Sequence, residues 1–411
     1  MEEKNVSIPV RTALMPIFYK DFHCLAADCR DNCCGGWEIA FNKKDYLRIK
    51  RSAKSEEMEE ILSNGMSRLR KHELGDEFFA HFTVGAGGIC PFQREDGLCR
   101  LQLEYGAAVL PEVCREYPRK ILHTSAAKEM SLSPSCESVL AMLWKLPQGI
   151  DFWEEPLPKQ EWKTIQMSPW LARFADIRSF CIDVFQERSL RLSRRVLLLG
   201  GLIQRLTEFD WTVEGVIDEW LAWGGEQLRN PATASMLEGM PRDRLKFLLC
   251  NIRMLLELYE GAEAKKKEIY WSLITALSAD GEDWEKNGLE NFSMDTTHYG
   301  ELEERLEELL GHTDEFFENL MVMTAFYKTF PNPAGPAELW RSYAAICGIY
   351  SFYWFAAVLG CHKEVSRERL FQVIVTASRN LLHNKGRLDM LADEVLEGGG
   401  TLEHMAILTG G

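Results

Sequence analysis

The sequence lacks an excess of positive charge. Its 47 Lys and Arg against 62 Asp and Glu leave a formal net charge of -15, which argues against a nucleic-acid binder, because neutralising phosphates requires a basic surface. It also lacks an apolar run of leader length at its start. The segment MEEKNVSIPVRTALMP is charged and carries two prolines, so no secretory signal is read there and a cytoplasmic location is expected. A reducing cytoplasm in turn disfavours structural disulfides. No repeat of fixed period is visible. Nor is there a convincing glycine-rich phosphate loop. Gly85-Ala86-Gly87-Gly88 follows a possible strand but leads into Cys90 rather than a helix, and reads as a turn.

What is present is ample chain for a core: 411 residues, 46% hydrophobic and 27% charged, with a length prior of two or three domains. The twelve cysteines are unevenly spread, eight of them at or before Cys136. The other four, Cys181, Cys250, Cys347 and Cys361, sit in apolar segments and read as small buried hydrophobes. After Trp144, Pro147, Pro156 and Pro158 rule out a regular helix, so the stretch reads as a connector. The expected organisation is a cysteine-rich module at 1–144, a Pro-rich connector at 145–161 and a helical domain at 162–411.

The module reads as mixed structure. Trp37–Phe41 and 78–84 are expected as short strands and Lys43 to about His72 as helix. Beyond the connector, helical spacing dominates: Val196, Leu199, Ile203, Leu206; then Leu248, Ile252, Leu255, Leu256; then Leu302, Leu306, Leu309, Leu310. The fold class is therefore mainly α, with a loop-rich metal-binding module and a few short strands ahead of a large helical domain. Residues 342–361 contain no charge. That length just spans a bilayer, but aromatics, serines and glycines without a polybasic flank read as a helix buried within a bundle.

Thiolates are soft ligands for zinc or iron–sulfur clusters such as [4Fe-4S], usually four to a site. The first group runs Cys24, Cys29, Cys33, Cys34, with Gly35 and Gly36 permitting a tight turn. The second runs Cys90, Cys99, Cys114, Cys136, punctuated by Pro91, Asp96-Gly97, Pro111 and Pro118. All eight are candidate metal ligands, in one centre or two. Arg30, Arg100 and Arg115 each follow a cysteine, and a nearby guanidinium would favour thiolate.

The stretch CPFQREDGLCRLQLEYGAAVLPEVCREYPR, Cys90 to Arg119, resembles the family of zinc- or iron-chelating proteins. With FHCLAADCRDNCCGGWEIAFNKKDY (22–46) and EMSLSPSC (129–136), the chain resembles the flagellin lysine-N-methylase family. NLMVMTAFYKTFP (319–331) and SRNLLHN (378–384) look like later motifs of that family. The resemblance implies methyl transfer to lysine side chains of flagellin, with S-adenosylmethionine as donor. The Cys-x3-Cys-x2-Cys pattern of radical methyl chemistry is missing, since Cys34 follows Cys33 at once.

Such a reaction requires a deprotonated lysine amine, so a desolvated pocket, a carboxylate or a tyrosine is expected nearby. Tyr117 and Glu129 lie in the best-matched motifs and are the catalytic candidates. Arg119 is a candidate to hold a carboxylate or support a thiolate. His383 reads as a helix-end histidine. The acidic stretch 301–320 reads as a solvated face, or, more sharply, as a dock for a basic tail. The alternative from a different class is a non-enzymatic metal-binding scaffold or redox protein whose helical domain binds a partner.

Overall fold

The computed structural model describes residues 6–35, 39–69, 78–85, 88–124, 127–211, 213–262, 264–277, 296–332 and 335–410. The expected strand at 37–41 is seen only as β3, Ala40–Phe41, because Trp37 and Glu38 lie outside these residues, as do Gly36, Gly87 and 70–72. The helix expected from Lys43 to His72 is two helices, Lys43–Ser52 and Glu56–Gly65. Ser55 breaks the run because its side chain accepts from the Met58 N–H and caps the second helix.

Among the described residues, nine strands can be numbered in chain order. β1 is Val6–Val10, β2 Thr12–Pro16, β3 Ala40–Phe41, β4 Met66–Arg68 and β5 Ala80–Phe82. β6 is Arg119–His123, β7 Lys128–Leu132, β8 Phe152–Pro156 and β9 Lys163–Met167. They form three small sheets, ordered β1-β9, β6-β7-β2-β8 and β3-β5-β4. Among the described residues, only the β2–β7 pairing is parallel.

The Pro-rich stretch 145–161 is not α-helical, but neither is it loose. β8 lies within it and pairs antiparallel with β2, with Pro156 opposite Thr12 at the end of an edge strand, where a missing N–H is tolerated. Ile150 is buried just before it. The N-terminal strands are thus joined to the segment that leads into the helices.

From Pro169 onward the described residues are helical apart from their turns. Helices begin at side-chain caps: Ser168 accepts from Leu171, Asp243 from Lys246, Ser366 from Arg369 and Asn384 from Arg387. The spacing read from sequence is the buried face. Val196, Leu199, Ile203 and Leu206 are fully buried, as are Leu248, Leu255, Leu302 and Leu306.

The uncharged segment forms the helix Leu339–Gly360, long and apolar enough to cross a membrane. Here 89% of its most apolar window is buried within the protein. It packs against the helices Leu192–Thr207, Arg367–Leu382 and Lys385–Glu397, so it is the central helix of a bundle. Gly200 of the helix Leu192–Thr207 lies directly against the Tyr343 ring.

Among the described residues, two hydrophobic cores result. The larger surrounds that central helix and takes in Met15, Phe18 and Phe22 together with Leu132, Val139 and Leu140. The smaller holds Phe41, Ile49, Leu62, Phe82, Phe92 and Leu101. Cys34, Cys90, Cys99 and Cys114 belong to the smaller core, whereas Cys136 packs on the larger. The cysteines therefore straddle the seam between the cores.

Candidate active site at the seam

The smaller core brings residues 33–35 onto the Cys90–Cys114 segment. The Cys90 N–H donates to the Cys34 carbonyl, and Gly35 bridges to Ile89. Cys33, Cys34, Cys90, Cys99 and Cys114 thereby fall within one another's electrostatic reach. Turns supply backbone N–H groups to several sulfurs: Phe92 and Gln93 to Cys90, Leu101 and Gln102 to Cys99, Ser138 and Val139 to Cys136. Such donors favour thiolate.

Burial opposes them. It pushes the Cys90 and Cys136 thiols up to about 11 and the Cys114 thiol higher. Cys33 is the exception, drawn down to about 7 by a hydrogen bond from Cys34. This donor set fits a soft metal in its chemistry: clustered sulfurs, backbone N–H groups facing them, and burial that a bound cation would offset. Among the described residues, however, no three Cys, His, Asp or Glu side chains stand ready as a coordination shell.

Cys29 and Cys136 lie within electrostatic reach of each other, and Cys136 of Cys33 as well. Cys29 faces Glu137 at 3.8 Å, and burial with that carboxylate raises it to about 12. Cys24 is exposed. The arginines beside cysteines do not serve the thiols. Arg30 pairs with Glu137 and Glu368, Arg100 with Glu57 and Glu104, Arg115 with Glu116. The cation that does favour the Cys33 and Cys136 thiolates is Arg379, 243 or more residues away in sequence.

Arg379 organises the seam. It is buried in the helix Arg367–Leu382, and its guanidinium donates to the Asp31 carboxylate at 2.8 Å and to the Ser135 carbonyl at 3.3 Å. Tyr117 O–H donates to the same Ser135 carbonyl at 2.8 Å. Burial lifts the Tyr117 hydroxyl well above its usual range, with Arg379 opposing. Ser135 Oγ is 2.7 Å from His383 Nε2 and 2.6 Å from Ser133 Oγ. The His383 ring packs against Tyr117 and Tyr327. Burial first, then the charges of Arg379, Lys328, Lys120 and Lys266, hold His383 down at about 4.

Two lysines border this cluster. Lys120 on β6 donates to the Tyr327 carbonyl at 2.6 Å and lies 5.0 Å from the Tyr327 ring centroid. Burial, aided by Lys328, brings it down to about 8. Lys328 donates to the Leu382 carbonyl at 3.4 Å and is lowered by burial as well.

Of the two catalytic candidates, Tyr117 is part of this cluster. Glu129 is engaged elsewhere. Its carboxylate is held bidentately by Arg178 at 2.5 and 2.6 Å and accepts from Thr124 O–H at 2.7 Å. Arg119 stacks on Phe22, 4.8 Å from the ring centroid, rather than on a carboxylate or thiolate. The acidic stretch is solvated at Glu301, Glu304 and Glu308, but Glu318 is fully buried between Arg188 and Arg195. Ser133, Ser135, Tyr327, Lys328 and Arg379 were not singled out from sequence. Their only signal was membership of the motifs at 129–136, 319–331 and 378–384.

Two cavities flank the cluster. One, of about 330 Å³, is lined by Arg30, Asp31, Glu137, Glu364, Glu368 and Arg369 together with Phe371, Gln372 and Val375. The other, of about 610 Å³, begins at Lys328 and runs between the central helix and the helix Lys385–Glu397.

Comparison with known proteins adds to this geometry. The model of the FliB lysine N-methylase C-terminal domain matches residues 178–408. A lysine-N-methylase of Salmonella choleraesuis (strain SC-B67) is 26% identical over 241 residues, 56% of this chain and 57% of the relative. One of Salmonella typhimurium matches with the same figures. The flagellar biosynthetic protein FliU of Salmonella muenchen is 30% identical over 150 residues, 35% of this chain and 83% of that protein. The chain thus spans little more than half the length of the two methylases. No solved structure matches. The matched region supplies Arg379, His383, Tyr327 and Lys328, the helical side of the seam, and by that match the chain belongs to the FliB lysine N-methylase family.

Proposed function

We propose that this protein methylates lysine side chains of flagellin in the cytoplasm, with S-adenosylmethionine as donor and a cysteine-bound metal centre beside the reacting groups. The observation that carries this reading is convergence. Motifs at 114–119, 129–136, 319–331 and 378–384, far apart in sequence, supply Tyr117, Ser135, Tyr327, Lys328, Arg379 and His383 to one buried cluster.

An acceptor lysine attacks only as a neutral amine. The seam favours that form, since burial and Lys328, against Glu129, already bring its own Lys120 down to about 8. His383, neutral at physiological pH, and the Ser133–Ser135 hydroxyls form a hydrogen-bonded chain that can relay the departing proton outward without His383 retaining it. The rings of Tyr117 and Tyr327 suit a methylated ammonium. The 330 Å³ cavity, with four carboxylates against two guanidiniums, suits the approach of a cationic side chain.

Cys33, Cys34, Cys90, Cys99 and Cys114 are the residues we assign to the metal, zinc or an iron–sulfur cluster. Bound there, it would supply positive charge that keeps buried thiolates ionised. Incubating the protein with flagellin and S-adenosylmethionine, then mapping peptides by mass spectrometry, tests the whole. Lysine-borne mass increments of one CH2 are expected. No transfer by metal-replete protein that still binds metal would overturn the enzyme and leave a metal-binding scaffold. Visible charge-transfer absorbance separates an iron–sulfur cluster from zinc.

A further inference from the structure

The larger cavity has no role in holding the cluster together. Its lining is of two kinds. Phe330, Ile346, Ile349 and Leu388 are apolar. Lys328, Arg341, Glu338 and Asp389 bring two positive and two negative charges. At about 610 Å³ it falls within the range of small-molecule sites, typically ~300–1,000 Å³.

The charges are organised but not exhausted. Arg341 pairs with Asp393 and donates to the Asp389 carbonyl at 3.1 Å, which orients its guanidinium along the cavity wall. The Asp389 carboxylate is 3.9 Å from Arg341 and also acts on Lys328, so it sits between the two cations. Lys328 makes a 3.4 Å contact to the Leu382 carbonyl and has further N–H donors to offer. The two lining cations already face lining carboxylates, so a ligand with a net charge would unbalance the lining. A zwitterion matches it, its carboxylate toward Lys328 and Arg341 and its ammonium toward Glu338 and Asp389. The apolar residues then suit a flat, weakly polar ring system.

The cavity also opens in the right place. Lys328 follows Tyr327, whose ring packs on His383, and its contact at Leu382 adjoins His383 in the chain. A ligand against Lys328 therefore lies beside a residue that borders the cluster the acceptor amine must reach.

We infer that this cavity, between residues 328–332, the first half of the helix Leu339–Gly360 and the helix Lys385–Glu397, binds a nucleoside carrying an α-amino acid. That is the chemical class of the donor, so the inference rests on the proposed methylase reading and locates its second substrate.

The test uses the full chain and S-adenosylhomocysteine, which binds as the donor does but cannot be consumed. Binding is measured by isothermal titration calorimetry on the wild type and on Ala345→Phe, which fills the cavity from a part-buried wall position. Asp389→Asn is the conservative second variant. Ultraviolet crosslinking of radiolabelled S-adenosylmethionine to wild type, followed by peptide mapping, requires no variant at all. At least tenfold weaker binding in both variants, with unchanged helical circular dichroism, and label in peptides from 328–349 or 385–397 are expected. Wild-type affinity in both variants, or label mapped elsewhere, overturns the site while leaving the methylase reading intact. Absence of binding to wild type in calorimetry and crosslinking alike overturns the donor assignment itself.

Discussion

Replacing Glu129 by Ala tests whether its carboxylate is structural or catalytic. Both partners of the pair are buried, with side-chain exposures of 4% for Arg178 and 3% for Glu129. The guanidinium lies 5.0 Å from the ring centroids of both Phe174 and Phe326, so water cannot take over when the carboxylate is removed. Breaking a buried pair by deleting one partner costs about 3–5 kcal/mol, because the other charge is left unpaired. Thr124 O–H loses one acceptor but keeps the Ala127 carbonyl at 3.2 Å, so little is added. The decisive comparison is the double variant Glu129→Ala, Arg178→Met. It removes the stranded charge and fills its space with an apolar chain, so most of the lost stability should return. Urea unfolding followed by tryptophan fluorescence reads both. A large fall in the midpoint for the single variant and substantial recovery in the double are expected, with methyl transfer following the folded fraction. An unchanged midpoint with activity abolished, and no rescue by Arg178→Met, would refute this and return Glu129 to the chemistry.

His383 is held neutral by burial and by Arg379, Lys328, Lys120 and Lys266, with a folded value of about 4 against an ordinary value of 6.5. The unfolded chain therefore binds more protons between those values, and stability should fall as pH drops from about 6.5 toward 4. His383→Gln should flatten that part of a denaturation-versus-pH profile, and an unaltered slope would contradict the burial. Lys120, lowered to about 8 by burial and Lys328, should titrate near that pH by NMR of the methyl-labelled protein; an ordinary lysine value would remove the argument that the seam deprotonates amines. Gly200→Ala drives a methyl group into the Tyr343 ring and should destabilise by about 1–3 kcal/mol in the same urea assay. Chelation, or Cys99→Ser, should raise hydrogen exchange in the smaller core, at residues such as Phe82 and Leu101, before the helical core responds. Uniform exchange with and without metal would make the thiol cluster incidental.

Periodicity revealed the helices well because burial in a bundle is a one-face property. Val196, Leu199, Ile203 and Leu206 read as a stripe and are a stripe. The central helix was recognisable from its missing charges for the same reason. Prolines 147, 156 and 158 correctly excluded an α-helix, yet they concealed β8, because an edge strand tolerates proline and its pairing with β2 is long-range. The site was legible only in part. The cysteines and Tyr117 stood out by type and motif. Arg379 and the serines did not, because arginine and serine are common and their roles depend on what folds against them. Adjacency also misled: Arg30, Arg100 and Arg115 follow cysteines in the chain but turn to carboxylates in space.

By itself the sequence determined the helical character of the chain, the thiol-rich N-terminal module and the family likeness. All three are carried by local pattern and residue type. The tertiary structure alone decided which charges are stranded in pairs and which are left to act. Glu129 is paired with buried Arg178, and Glu318 left the solvated face for Arg188 and Arg195. Arg379 and His383 joined Tyr117 across a gap of more than 250 residues. Long-range packing sets the desolvation and the neighbours of an ionisable group, and those quantities are written in no local stretch of chain.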